Sequence, residues 1–175
     1  MNIAVIGACN VDVSARSYSK YSPKDSNPSK ITVTYGGVGR NVAHNLCLLG
    51  QKVSFFTVFG GDAYGKAIEE DCRALGMDLS HAIRTNEQSS MYLCINNEQG
   101  DLEAGASDMA LVRHITREYV EENVAALNRF DAVVFDTNLD VETVSCILEC
   151  CTAPLFLDTV SKKKAAKLLD LPSPK

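Results

Sequence analysis

The run Tyr35-Gly-Gly-Val-Gly-Arg-Asn41 is the densest concentration of residues that could do chemistry. Three glycines within four positions, opening onto a helical pattern, let backbone N–H groups approach a ligand more closely than residues with side chains allow. The glycine spacing is not the dinucleotide fingerprint, and the run follows an edge-like strand rather than a buried one. Asn41, at the expected helix start, reads equally well as a plain N-cap. Other polar residues follow apolar runs: Asn10 and Asp12 the first, Gly60-Gly61-Asp62 the second, Asn138 the third, and Asp158 with Thr159 the fourth. In an open α/β sheet, ligands bind beyond the carboxyl ends of the strands. Carboxylates and amides gathered at that edge suit a polyhydroxyl ligand, because one carboxylate accepts from two adjacent hydroxyls. Taken singly, each such residue can instead cap a helix, and Asp62 and Asp140 are read that way.

Two further runs invite a sharper reading than they earn. Gly60 to Lys66 matches G-x-x-x-x-G-K between a strand and a helix, but Ala67 stands where a P-loop needs a hydroxyl for magnesium. It is expected to be a glycine turn into a helix, with a phosphate binder as the lesser alternative. Ser161 to Lys167 is a basic run whose bland reading is a solvated face. Its position directly after Asp158-Thr159 would let one lysine reach the strand-end site.

The elements that must position these residues are legible from periodicity. Asn2 to Gly7, Lys52 to Phe59, Asp131 to Phe135 and Pro154 to Leu157 read as buried strands. Helices are expected over Asn41 to Leu49 with Gly50 as its stop, Asp62 to about Leu75, Thr116 to Asn128, after Asp140, and Ser161 to Leu169. Met91 to Asn96 and Asp101 to Ala104 suggest a hairpin. Strand and helix alternate, so the expected fold class is α/β: a parallel sheet with right-handed crossovers, flanked by helices. The polar-flanked strand segments within about 13–35 and 88–105 break the alternation and are assigned to a small separate sheet beside the core.

Composition narrows the function classes. The 175 residues carry 17 Lys plus Arg against 22 Asp plus Glu, a net charge of −5, which argues against a broad nucleic-acid surface. With 46% apolar residues, the chain can bury a real core. No apolar run approaches the roughly 20 residues needed to span a bilayer, and the amino terminus lacks a signal-peptide pattern, so a soluble cytoplasmic protein is expected. The seven cysteines include no C-x-x-C pair and read as reduced, buried thiols. Cys146 and Cys150 sit four apart, but His44, His81 and His114 are isolated and supply no matching ligand pair for a metal.

Gly36-Gly37-Val-Gly39-Arg-Asn41-x-Ala43, then Leu49-Gly50 and Gly60-x-Asp62-x-x-Gly65, with Gly7-x-x-x-x-Asp12 before them, closely resembles the N-terminal signature of the ribokinase-like (PfkB) carbohydrate and nucleoside kinases. Asp25-Ser-Asn-Pro28, Gly39-Arg40-Asn41 and Asp158-Thr-Val-Ser161 with Lys164 look most like the pseudouridine kinases of that family. The resemblance runs from Met1 to about Leu171. It implies ATP-dependent, magnesium-assisted phosphorylation of a pentose hydroxyl, with the 5′ position of pseudouridine expected. Carried over by position, Asp12 would hold ribose hydroxyls, Gly36, Gly37 and Asn41 would complete the sugar site, and Asn10, Asn138 and Lys164 would be further contacts. The two irregular strand regions would form a lid that closes over the sugar and pairs two subunits into a homodimer. The resemblance also implies a departure. The family's Gly-Ala-Gly-Asp run with its catalytic base, its Asn-x-x-Glu magnesium motif and its nucleotide site have no counterpart in residues 1–175, so the chain is expected to hold the substrate half of a kinase, inactive alone and with exposed strand edges. A reading from a different class is a non-catalytic nucleoside-binding or dimerisation module.

Overall fold

Ile3, Ala4, Val5 and Ile6 are all buried, a pattern that requires cover on both faces of the first strand. The computed structural model, which describes residues 1–166, 168, 169 and 171, supplies that cover. In chain order the elements are β1 (Asn2–Ile6), β2 (Asn10–Ser17), β3 (Ser29–Gly36), α1 (Val38–Leu48), β4 (Lys52–Phe56), β5 (Val58–Phe59), α2 (Ala63–Ala74), β6 (Ile83–Arg84), β7 (Met91–Asn96) and β8 (Leu102–Asp108). A 3-10 turn over Ala110–His114 follows, then α3 (Arg117–Leu127), β9 (Ala132–Asp136), α4 (Val141–Cys150), β10 (Leu155–Asp158) and α5 (Lys162–Ala166).

The core sheet has the order β10-β9-β1-β4, with every pair parallel. Strand alternation divides the core in two. Ile3, Val5, Val53 and Phe55 face one way, onto Ala43 of α1 and Ile68 and Cys72 of α2. Ala4, Ile6, Phe56, Val133 and Phe135 face the other, onto Val120 and Leu127 of α3 and Val144 and Ile147 of α4. Burying each of these larger side chains contributes about 2–3 kcal/mol, which fixes the strand register and hence where each strand end falls. All seven cysteines are free. Burial pushes the Cys9 thiol up to about 12 and Cys72 up to about 11, so both fill apolar space rather than react. Among the described residues, no helix is long and apolar enough to cross a membrane.

A second sheet, β3-β2-β7-β8, stands beside the carboxyl ends of the core strands. It starts earlier and ends later than the segments 13–35 and 88–105, because β2 begins at Asn10 and β8 runs to Asp108. Register separates its two faces cleanly. Val13, Ala15, Ile31, Val33, Leu93, Ile95, Ala104 and Ala106 share one face; Asp12, Ser14, Thr32, Thr34, Tyr92, Cys94, Gly105 and Ser107 share the other.

Several expected boundaries move. The strand expected over 52–59 divides at Thr57: β1 ends at Ile6, with Gly7 N–H donating to Phe56 O, so the chain beyond turns away and pairs Val58 and Phe59 with Ile83 and Arg84. Helix α1 starts at Val38 rather than at Asn41, because Gly37, at φ 98°, serves as its N-cap and its carbonyl takes the Asn41 N–H. Asn41 is therefore no cap. Asp140 occupies the N-cap position of α4 without a side-chain cap hydrogen bond. The last helix is described over Lys162–Ala166 only, and Lys167 of the basic run lies outside the described residues.

Candidate functional site

A cleft of about 430 Å³ opens where the carboxyl ends of β1 and β9 meet the polar face of the second sheet. Asn10, Asp12, Gly37, Asn41, Asn138 and Lys164 all line it. Gly36 does not reach the surface of the cleft; it lies under the Asp12 carboxylate, which occupies the space a β-carbon at Gly36 would need. The Asn10 side-chain amide donates to Asp12 Oδ1 at 2.6 Å, orienting the carboxylate, whose Oδ2 is the oxygen seated against Gly36. Burial of Asn10 makes that amide a fixed donor rather than a mobile one.

The glycine run brings the start of α1 to the cleft by direct backbone contact. A β-carbon at Gly39 would lie 2.8 Å from the Gly7 Cα, and one at Gly37 would lie 2.5 Å from the Ala8 carbonyl oxygen. Arg40 N–H donates to that same carbonyl at 3.2 Å. The Arg40 side chain, buried, pairs with Asp71 of α2 and donates to Tyr35 O at 3.2 Å, so the run is held from behind as well.

The opposite wall comes from β9 and α5. Lys164 donates to the Asn138 side-chain oxygen, and Asn138 N–H donates to Asp136 Oδ1 at 2.7 Å. Asp136, which the sequence reading does not single out, stands behind this wall and does not itself line the cleft. It is buried, its Oδ2 has no hydrogen-bond partner, and burial holds its carboxyl above the usual carboxylate range. The sequence signal for it is an acidic residue at the last position of a buried strand. Val160, which also lines the cleft, adopts a φ of 56°, an unusual left-handed conformation for a β-branched residue that costs about 1–3 kcal/mol. It turns the chain from β10 into the helix that carries Lys164.

The remaining strand-end residues do other work. Asp62 accepts from Gly65 N–H at 2.8 Å, Ser89 N–H at 2.9 Å and Ser89 Oγ at 2.6 Å. Burial opposes its charge, but the Ser89 hydroxyl and these N–H groups prevail and hold it below the usual carboxylate range. The anion position at the start of α2 is thus filled by the protein's own carboxylate, and Gly65 packs directly on the Gly60 carbonyl. This overturns the phosphate-binding alternative for Gly60 to Lys66. Asp158 turns back to accept the Val160 N–H at 2.7 Å, and neither it nor Thr159 lines the cleft. A larger hollow of about 670 Å³ lies among Lys52, Asp78 and Arg129, at the amino ends of the strands, the wrong end of a parallel sheet for a ligand.

A parallel α/β sheet with a second, two-faced sheet beside a polar cleft at its strand ends is a ribokinase-like fold. The chain belongs to the pfkB family of carbohydrate kinases, whose family model matches residues 1–173. It is similar to a pseudouridine kinase of Escherichia coli (strain K12), 34% identical over 170 residues, covering 96% of this chain and 54% of that relative. A guanosine-inosine kinase of Exiguobacterium acetylicum is 29% identical over 158 residues, covering 88% of this chain and 52% of that one. Among solved structures, a carbohydrate kinase from Agrobacterium tumefaciens superposes with a TM-score of 0.85 at 27% identity, covering 95% of this chain and 56% of its own. The chain thus spans about half the length of the curated relatives it matches.

Proposed function

We propose that this chain binds a nucleoside through its ribose at the strand-end cleft, as the acceptor-binding portion of a kinase that phosphorylates the 5′ hydroxyl of pseudouridine. The observation that carries the reading is Asp12: a carboxylate that lines the cleft, seated over Gly36 and aimed by Asn10. Such a group accepts from two vicinal ribose hydroxyls at once. Asn41, Asn138 and Lys164 surround the same volume and supply the remaining polar contacts. The similarity to a pseudouridine kinase favours that nucleoside over free ribose.

ATP and Mg²⁺, the co-reactants that this family implies, do not fit the residues described here. The one glycine turn with a following lysine is closed by Asp62, and among the described residues no three His, Cys, Asp or Glu side chains converge on a metal position. What this chain would contribute is acceptor binding, orientation of the hydroxyl, and exclusion of water by the lid.

The lid also supports pairing of two copies. Its outer face is apolar and open, with Ile31 66%, Val33 47% and Leu93 40% exposed. A homodimer that buries this face through the lid sheets is the second part of the proposal.

Calorimetric titration with pseudouridine, uridine, inosine and ribose tests the binding reading. Saturable binding of pseudouridine that Asp12→Asn weakens at least tenfold is the expected result. Binding that survives that substitution unchanged would remove Asp12 from the site and the reading with it.

A further inference from the structure

The contacts above account for a pentose and leave one wall of the cleft unused. Register pairs Asp12 with Tyr92 across β2 and β7, and Tyr92 with Ser107 across β7 and β8. The three side chains therefore stand in one row on the polar face of the lid, and all three line the cleft, with Met109 just beyond. The Tyr92 ring is half-buried and lies across Gly105, where a β-carbon would be 3.1 Å from its hydroxyl oxygen and 3.7 Å from Cε2. A strand position without a side chain thus lets the ring lie back against the sheet, on the wall of the cleft.

We propose that Tyr92, backed by Gly105 and flanked by Ser107, is the platform for the planar heterocycle of a nucleoside, and so the residue that separates nucleosides from free pentoses. The inference rests on the ribose reading of Asp12. Neighbouring strands lie about 5 Å apart and register sets Tyr92 directly beside Asp12, so the ring is within reach of a C1′ substituent on a ribose held by Asp12. An aromatic face suits any flat base, and base stacking on such a face is sequence-tolerant. The neighbouring Ser107 hydroxyl can donate to or accept from the base edge, which gives the platform a means of telling one base from another.

The test compares wild-type chain, Tyr92→Ala, Tyr92→Phe and Gly105→Val by calorimetric titration with pseudouridine and with ribose. The expected result is that Tyr92→Ala weakens pseudouridine binding about tenfold and leaves ribose binding unchanged, while Tyr92→Phe retains both. Gly105→Val displaces the ring without removing it and should show the same selective loss, which covers the case of a Tyr92→Ala chain that does not fold. Equal weakening of both ligands, or no weakening of either, would overturn the platform while leaving the ribose site standing. Wild-type chain that binds ribose as tightly as pseudouridine would also overturn it. Failure of wild-type chain to bind either ligand would overturn the ribose reading, and this inference with it.

Discussion

Gly36 and Gly39 lie three residues apart and are needed for different reasons, which their substitution should separate. A methyl group at Gly36 meets only the Asp12 carboxylate, the end of a side chain that can swing aside. Gly36→Ala is expected to keep most of the stability and lose at least tenfold in nucleoside affinity. At Gly39 the methyl group meets the Gly7 backbone at 2.8 Å, which can give way only if β1 and α1 part. Gly39→Ala is therefore expected to cost about 1–3 kcal/mol, read as a lower denaturant midpoint. Asp136 adds a pH signature. Burial raises its folded-state pKa above the unfolded value, so the folded form holds its proton longer. Its contribution to stability is full below the ordinary carboxylate range and is lost as pH rises through the folded-state value. Asp136→Asn, which cannot ionise, should gain stability relative to wild type between pH 3 and pH 7, as measured by paired denaturant titrations. A difference that stays flat across that range would mean Asp136 ionises in the fold as freely as in the unfolded chain.

The clasp around Asp62 governs how the core hands the chain over to the lid. Its carboxylate caps α2 and grips Ser89 twice, and two residues later β7 begins. Asp62→Ala should cost about 2–3 kcal/mol through the lost cap and two charge-assisted bonds. Amide exchange should accelerate over residues 85–96 well before β1 or β9 responds; uniform acceleration would mean that the clasp serves only global stability. The alternating core was legible in the sequence because buried parallel strands read as unbroken apolar runs such as Ile3 to Ile6 and Ala132 to Phe135. The lid was harder to read. In β2 the apolar Val11, Val13 and Ala15 alternate with Asp12, Ser14 and Arg16, a two-faced strand whose polar face looks like a loop when the partner strands are unknown. The same ambiguity made Asp158 look like a candidate beside Asp12, whereas the place of Asp62 before a helical pattern already marked it as a cap. Only tertiary context shows that Asp158 spends an oxygen on nearby backbone and that Asp62 also holds Ser89.

The second sheet has two unlike faces. The polar face walls a cleft lined by Asp12 and Tyr92, while the apolar face leaves Ile31, Val33 and Leu93 exposed, the surface of the proposed homodimer. Val33→Lys should shift sedimentation from dimer to monomer at micromolar concentration, with core stability unchanged because the side chain is exposed. A wild-type chain that sediments as a monomer at every concentration would sink the pairing. Core strand β10 is a second exposed surface: among the described residues it pairs only with β9, and its Phe156 is 57% exposed. Its open edge is expected to favour slower, less specific association at high concentration.

The parallel pairing of β2 with β7 also sets an order of events. Val11 must find Met91, and between them in the chain lie β3, α1, β4, β5, α2 and β6. Closing so long a loop is costly until the intervening segment has compacted, so the lid should complete its sheet last. During synthesis, the hairpin of β2 and β3 emerges before β7 and β8, and the edge of β2 stays unpaired until they have followed. That interval, rather than the finished fold, is when the chain is most exposed to misassembly and most in need of a chaperone.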